Sequence, residues 1–286
     1  MRKILDTTPA KPFFLETDSG KRFCLYHTPH PSTQSYGTFI YIHPFGEEMN
    51  KSRRMAALQA RAFSNIGYSV LQIDLFGCGD SFGEFNEARW DIWKQDISFA
   101  TKWLKKNSST PIINLWGLRL GALLALDFAC NSDDHIDNIL LWQPVLNGKS
   151  FLTQFLRLQL VNKLLSDNYQ RMQGIDALRS SLAAGSTLEV AGYDLASELA
   201  AAIDTLKISD LVVLESNVHW FDVVADTNQS ITPTKAEVMK KWKNDGNSLY
   251  IHPISCLYFW ATQEITECPE LITATTQLFT KNHHEH

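Results

Sequence analysis

No stretch of this chain approaches the roughly 18 consecutive apolar residues needed to cross a bilayer, so no membrane span is expected. A basic face is missing too. Lys and Arg number 26 against 31 Asp and Glu, for a formal charge of −5, and Lys51, Arg53 and Arg54 form only a short cluster that suits a solvated helix start. That balance excludes nucleic acid as the expected partner. There is no CxxC pair among the five cysteines, Cys24, Cys78, Cys130, Cys256 and Cys268. Their odd count and wide spacing predict neither a zinc site nor a disulfide framework, and they suit a reducing, cytoplasmic setting. The opening MRKILDTTPAKPFF carries basic residues without a following apolar stretch, the pattern of a chain without a signal peptide. The closing His283-His284-Glu285-His286 reads as a disordered tail. No metal or other cofactor is expected, and no internal repeat or low-complexity segment is present.

What is there is an ordinary globular composition, 44% hydrophobic and 20% charged over 286 residues. That suits one large α/β domain with room for an insertion. Two short antiparallel strands are predicted at 12–17 and 22–27, joined by Asp18-Ser19-Gly20. Then strands and helices alternate: a buried strand at 37–43, a helix at 52–66, a strand at 68–75, a helix at 88–106, a strand at 111–116, an Ala- and Leu-rich helix at 120–130 and a strand at 136–143. This spacing implies a mostly parallel central sheet flanked by helices. After Pro144 the rhythm breaks. Residues 148–208 show no clear strand but two helical stretches, 150–166 and 195–206, so a helical cap insertion is expected there. Strands resume at 218–224 and 249–254, around a helix near 234–243, and a helix at 269–280 closes the sheet. The expected division is a core of residues 1–147 and 209–282, a cap of 148–208 and a tail of 283–286.

The most informative segment is Ile112-Ile113-Asn114-Leu115-Trp116-Gly117-Leu118-Arg119-Leu120-Gly121-Ala122. It reads as strand, tight turn and helix, in the Gly-x-x-x-Gly frame of the nucleophile elbow, Gly-x-Ser-x-Gly. The central residue is Arg119, which stays protonated and cannot attack a carbonyl. Two further loops follow strands in the matching order. Asp74-Leu75-Phe76-Gly77-Cys78-Gly79-Asp80-Ser81 resembles the D-x-x-G-x-G-x-S loop of α/β-hydrolases, and His43-Pro44-Phe45-Gly46-Glu47-Glu48 stands where those enzymes carry their oxyanion loop.

Together these pieces resemble the α/β-hydrolase superfamily from about Gly37 to Phe279, which implies an α/β-hydrolase fold. Segments 45–55, 71–81 and 115–119, with Phe259-Trp260, Glu264-Ile265 and 269–272, are similar to the second hydrolase family associated with the exosortase A system. That resemblance implies a bacterial protein linked to exopolysaccharide production and sorting at the envelope, and implies that the arginine belongs to the family pattern.

A serine hydrolase needs Ser, Asp/Glu and His in that chain order. Asp222 and Asp226 are available for the acid, with Gln229 at the usual spacing before a proline. No histidine follows the last strand, and His252 lies too early, inside it. Ser81 or Cys78 are the remote candidates for a relocated nucleophile, with His43 as base; Cys256 lies near the missing histidine. Against that stands Arg119 beside a helix N-terminus, where a buried guanidinium requires an acid. Glu47, Glu48 and Asp80 are within the adjoining loops, and Glu47 or Glu48 is the expected partner. Two readings stay open for the surface formed by His43, Phe45, Glu47, Glu48, Asp80, Arg119, Leu120 and Trp260: a plugged pseudo-site, or a pocket for a small anionic ligand. At the level of function the expectation is a protein without serine-hydrolase chemistry, accessory to envelope processes. The alternatives are an esterase or acyl hydrolase with a non-standard nucleophile, and an interaction module whose insertion docks a protein partner.

Overall fold

The computed structural model describes residues 9–30, 33–165, 174–226 and 231–281. Strands β1 (Lys11–Thr17) and β2 (Gly20–His27) form an antiparallel hairpin that leads into β3 (Gly37–Ile42). Helix α1 (Glu47–Asn65), strand β4 (Tyr68–Ile73), helix α2 (Trp90–Asn107), strand β5 (Ile113–Leu118), helix α3 (Leu120–Asn131) and strand β6 (Asn138–Trp142) follow in alternation. The segment after β6 holds α4 (Gly148–Leu165), α5 (Ile175–Ala183), β7 (Leu188–Val190), β8 (Tyr193–Leu195) and α6 (Ser197–Thr205). The chain then returns through β9 (Asn217–Val224), α7 (Pro233–Asn244), β10 (Ser248–Ser255) and α8 (Pro269–Lys281).

The eight main strands form one sheet in the order β1-β2-β4-β3-β5-β6-β9-β10, parallel from β4 to β10. Every residue of β3 and of β5 is buried, as befits strands covered by helices on both faces. Alternation along β3 divides the core. Ile40 and Ile42 join the side covered by α2 and α3, while Phe39 and Tyr41 join the side of α1 and α8. On the latter side Phe39 stacks on Phe63 at 4.1 Å between ring centroids, with Phe279 edge-on to both. Each such side chain contributes on the order of 2 kcal/mol by leaving water. Pro253 sits in β10, the edge strand, where the missing N–H costs no ladder bond.

Two features of the sequence reading change. Helix α1 begins at Glu47, five residues before the expected start, because Gly46 turns the chain at φ 57° and the acids Glu47 and Glu48 complement the positive helix end. The insertion has a third helix, α5, and is not purely helical: it contains the β7–β8 hairpin, whose three-residue strands are too short to show alternation in sequence. Its base is closed by an antiparallel bridge between Asn147 and Lys207 and by Gly148 N–H donating to Leu206 O at 2.9 Å. Gln229, Ser166 and the tail 283–286 lie outside the described residues. Within the described residues no helix is long and apolar enough to cross a membrane, and no group of three or more metal-binding side chains comes together.

Two buried histidines make stability depend on pH. Burial first, then the charge of Arg61, lowers His27 to about 4; burial, then the charge of His252, lowers His219 to about 4. The unfolded chain therefore takes up these protons before the native one. Chemical denaturation should show stability constant above pH ~7, falling as pH drops through 6.5 toward 4 by roughly 2–3 kcal/mol per histidine. Replacing His27 and His219 with non-titrating residues should flatten that slope.

Candidate functional site

Arg119 is the single residue between β5 and α3. Its backbone lies at φ 57°, ψ −117°, a region that costs a side-chain-bearing residue roughly 1–3 kcal/mol. The turn is held on three sides. Arg119 N–H donates to Trp142 O at 2.9 Å, and Arg119 O accepts from Ala122 N–H at 3.2 Å and Val145 N–H at 3.3 Å. The flanking glycines are demanded by close approach. A Cβ on Gly117 would stand 2.4 Å from the Ala122 Cα, and one on Gly121 would stand 2.3 Å from the Ile42 carbonyl oxygen. Strand, strained turn and helix thus form an elbow with Arg119 at its apex.

The guanidinium meets one acid. Arg119 Nε donates to Glu48 Oε1 at 3.3 Å, from the first turn of α1. Among the described residues this is its only hydrogen bond. Its carbon lies 5.5 Å from the ring of Trp260, whose ring in turn packs on Phe259 and Tyr258. Burial drives the Glu48 carboxyl above the usual range, opposed by the charge and hydrogen bond of Arg119 and by Lys51. The second oxygen, Glu48 Oε2, is buried with no hydrogen-bond partner among the described residues. Glu47 turns away: its Oε2 accepts from Asn50 Nδ2 at 3.0 Å and from the Tyr193 hydroxyl at 3.3 Å. Asp80 is exposed, and its N–H donates to Asp74 Oδ2 at 3.1 Å. Asp74 pairs with Arg53 at 3.3 Å.

The remaining candidates are occupied elsewhere. His43 is buried with both nitrogens engaged, Nδ1 with Pro44 O at 2.8 Å and Nε2 accepting from Leu75 N–H at 3.2 Å. Ser81 Oγ donates to Asp74 O at 2.5 Å and accepts from Phe23 N–H at 2.9 Å, so its hydroxyl locks the glycine loop to β2. Burial, reinforced by Asp74 and Asp96, pushes the Cys78 thiol up, away from thiolate character. Asp222, at the end of β9, is paired with Lys235 at 2.5 Å, and Asp226 is exposed in the loop beyond. His252 lies in β10 with Nε2 3.3 Å from His219 Nδ1.

Cys256 forms a disulfide with Cys268, contrary to the sequence reading of the cysteines. The end of β10 and the start of α8 bring the two Cα atoms within 6.0 Å, a proximity that the count and spacing could not reveal. Such bridges persist in oxidising compartments, so the cysteines no longer argue for a reducing cytosol. The bridge closes the loop that carries Trp260.

Beside the elbow, where an acyl chain would need space, the interior is filled with rings. Phe45 packs edge-on against Phe151 and Phe155 of α4, at 5.6 and 5.0 Å, and against Phe85 at 5.3 Å. The cavity left among His43, Phe45, Leu75, Trp93 and Leu120 is about 10 Å³, the size of one water. Leu120 opens α3 directly after the elbow residue and Phe45 lies in the loop after β3, the two chain positions that supply oxyanion donors in this topology. Sequence reasoning missed Tyr193, Lys235 and the Cys256–Cys268 bridge.

A mostly parallel eight-stranded sheet with a strained strand–turn–helix at its centre defines an α/β-hydrolase fold. The chain belongs to the hydrolase family described as serine aminopeptidase, S33, whose model matches residues 33–234. It is 26% identical over 116 residues to the lysophosphatidylserine lipase ABHD12 of Xenopus tropicalis. That stretch is 40% of this chain and 29% of the lipase, so the chain matches less than a third of its relative's length. Among solved structures it is similar to Est1E from Butyrivibrio proteoclasticus with ferulic acid bound (TM-score 0.66, 15% identity, 96% of this chain and 98% of that one). It is also similar to a highly thermostable carboxyl esterase from Bacillus coagulans in complex with glycerol (TM-score 0.64, 11% identity, 96% and 99%). At these identities the likeness is one of fold.

Removing one member of the Arg119–Glu48 pair should cost more than removing both. Arg119→Met leaves a half-buried carboxylate unpaired and is expected to destabilise by about 1–2 kcal/mol, most of it recovered in Arg119→Met/Glu48→Gln. Denaturant midpoints of the two singles and the double give the coupling directly.

Proposed function

We propose that this protein carries no serine-hydrolase chemistry and uses the hydrolase scaffold for recognition. The observation that carries this reading is Arg119 at the apex of the elbow, φ 57° and ψ −117°, where attack on an acyl carbon would start. A permanent cation cannot supply the electron pair. Two others support it. The described loop after β10 offers Trp260 and a disulfide rather than an imidazole, and aromatic rings fill the space next to the turn. The resemblance of segments 45–55, 71–81 and 115–119 to the second exosortase-associated hydrolase family supports a role as an accessory to exopolysaccharide and envelope processes. On that reading Glu48 and Trp260 position the arginine, while His43 and Ser81 hold the loops around it.

The S33 family membership favours a second reading, an acyl hydrolase with a relocated nucleophile. Such an enzyme would need a hydroxyl with a base, and Ser81 Oγ has backbone partners on both its donor and acceptor sides.

A fluorophosphonate probe followed by peptide mass spectrometry separates the two. No serine of the wild-type protein should be labelled above background. The variant Arg119→Ser should also stay unlabelled, because a serine without a histidine base is not activated. Stoichiometric labelling of any serine in the wild type overturns the proposal.

A further inference from the structure

The Arg119–Glu48 contact is monodentate. Glu48 takes only the Nε–H, through one oxygen. A carboxylate that closed off an arginine would meet two parallel N–H groups. Here Nη1 and Nη2 have no partner among the described residues, neither is a fully buried unpartnered atom, and the side chain as a whole is 18% exposed. A guanidinium held at its inner nitrogen and supported by an aromatic ring is fixed in orientation before any ligand arrives. Trp260, only 4% exposed, supplies the ring, and the disulfide-closed loop supplies its position. From Trp260 the rings continue outward to Tyr258, centroids 5.2 Å apart, and Tyr258 is 47% exposed.

Building on the non-hydrolytic reading, we propose that the outer edge of Arg119 is a receptor for the carboxylate of a small organic acid whose ring or chain lies along Tyr258. Four features select that class. The paired N–H groups match the two oxygens and the plane of a carboxylate. The Glu48 charge lies on the far side of the same guanidinium and offsets part of its attraction, leaving too little to repay the larger desolvation cost of a phosphate dianion. Tyr258, one ring beyond Trp260, offers a half-exposed apolar face. The filled interior beside Phe45 leaves no room for a long acyl tail, so the body of the ligand stays at the surface.

Isothermal calorimetry with the whole protein tests this with three probes: phenylacetate, its uncharged isostere phenylacetamide, and inorganic phosphate. Phenylacetate should bind saturably, on the order of tenfold more tightly than either of the others. Arg119→Gln should weaken phenylacetate by at least about tenfold. Glu48→Gln keeps the arginine, removes the competing charge, and should tighten phenylacetate roughly three- to tenfold; this second variant decides the matter if Arg119→Gln fails to fold. No saturable phenylacetate binding, equal binding of the amide, or unchanged or weaker binding in Glu48→Gln overturns the receptor. The fluorophosphonate measurement is independent. An unlabelled protein that ignores phenylacetate removes the receptor alone, whereas a labelled serine removes the non-hydrolytic reading whatever the calorimetry shows.

Discussion

The approach of α3 to the strands beneath it is the constraint on which the centre of this molecule depends. Gly117 and Gly121 permit it, since a methyl group at either would overlap the backbone of Ala122 or of Ile42 and His43. That contact forces the residue between them into a left-handed, strained conformation, and it raises that residue's side chain above the carboxyl edge of the sheet. The scaffold thus presents whatever stands at position 119. In a hydrolase the presented group is a hydroxyl; here it is a guanidinium, and the surroundings are adapted to a cation. Glu48 supplies charge, Trp260 a polarisable face, and the carbonyl of Arg119 itself anchors the start of α3.

The same economy is visible in the glycine loop. Asp96 of α2 lies fully buried between Arg22, at 2.7 Å, and the Phe76 N–H, at 2.8 Å, while Ser81 Oγ bonds the backbone of Asp74 in the loop and of Phe23 in β2. Burial raises the Asp96 carboxyl to about 6 despite the opposing arginine. These side chains hold the loop to the sheet edge. A hydroxyl with two backbone partners is a brace.

Much of the fold was legible because long periodic segments declare themselves. The runs at 37–42 and 113–118 are apolar throughout, and the Ala- and Leu-rich helix after the elbow is apolar on every side, so both strand and helix had to be interior. The Glu48 pairing was legible in part: an arginine in that position demands an acid, and the acids were few and adjacent. Choosing between Glu47 and Glu48 was not possible from composition, because the choice depends on the 100° turn between neighbouring helix positions and on where α1 starts. The β7–β8 hairpin escaped because three-residue strands carry no period. The disulfide escaped because its two halves flank the loop between β10 and α8, and only the packing of α8 against β10 brings the ends of that loop side by side.

That division of labour between Glu47 and Glu48 has a mechanical side. Through Glu47 and the Tyr193 hydroxyl, the first turn of α1 is tied to the inserted hairpin; through Glu48 it is tied to Arg119. The two attachments sit on consecutive residues of one rigid turn. The inserted hairpin and the elbow arginine therefore share one support, the opening turn of a helix whose entry is set by the positive φ of Gly46.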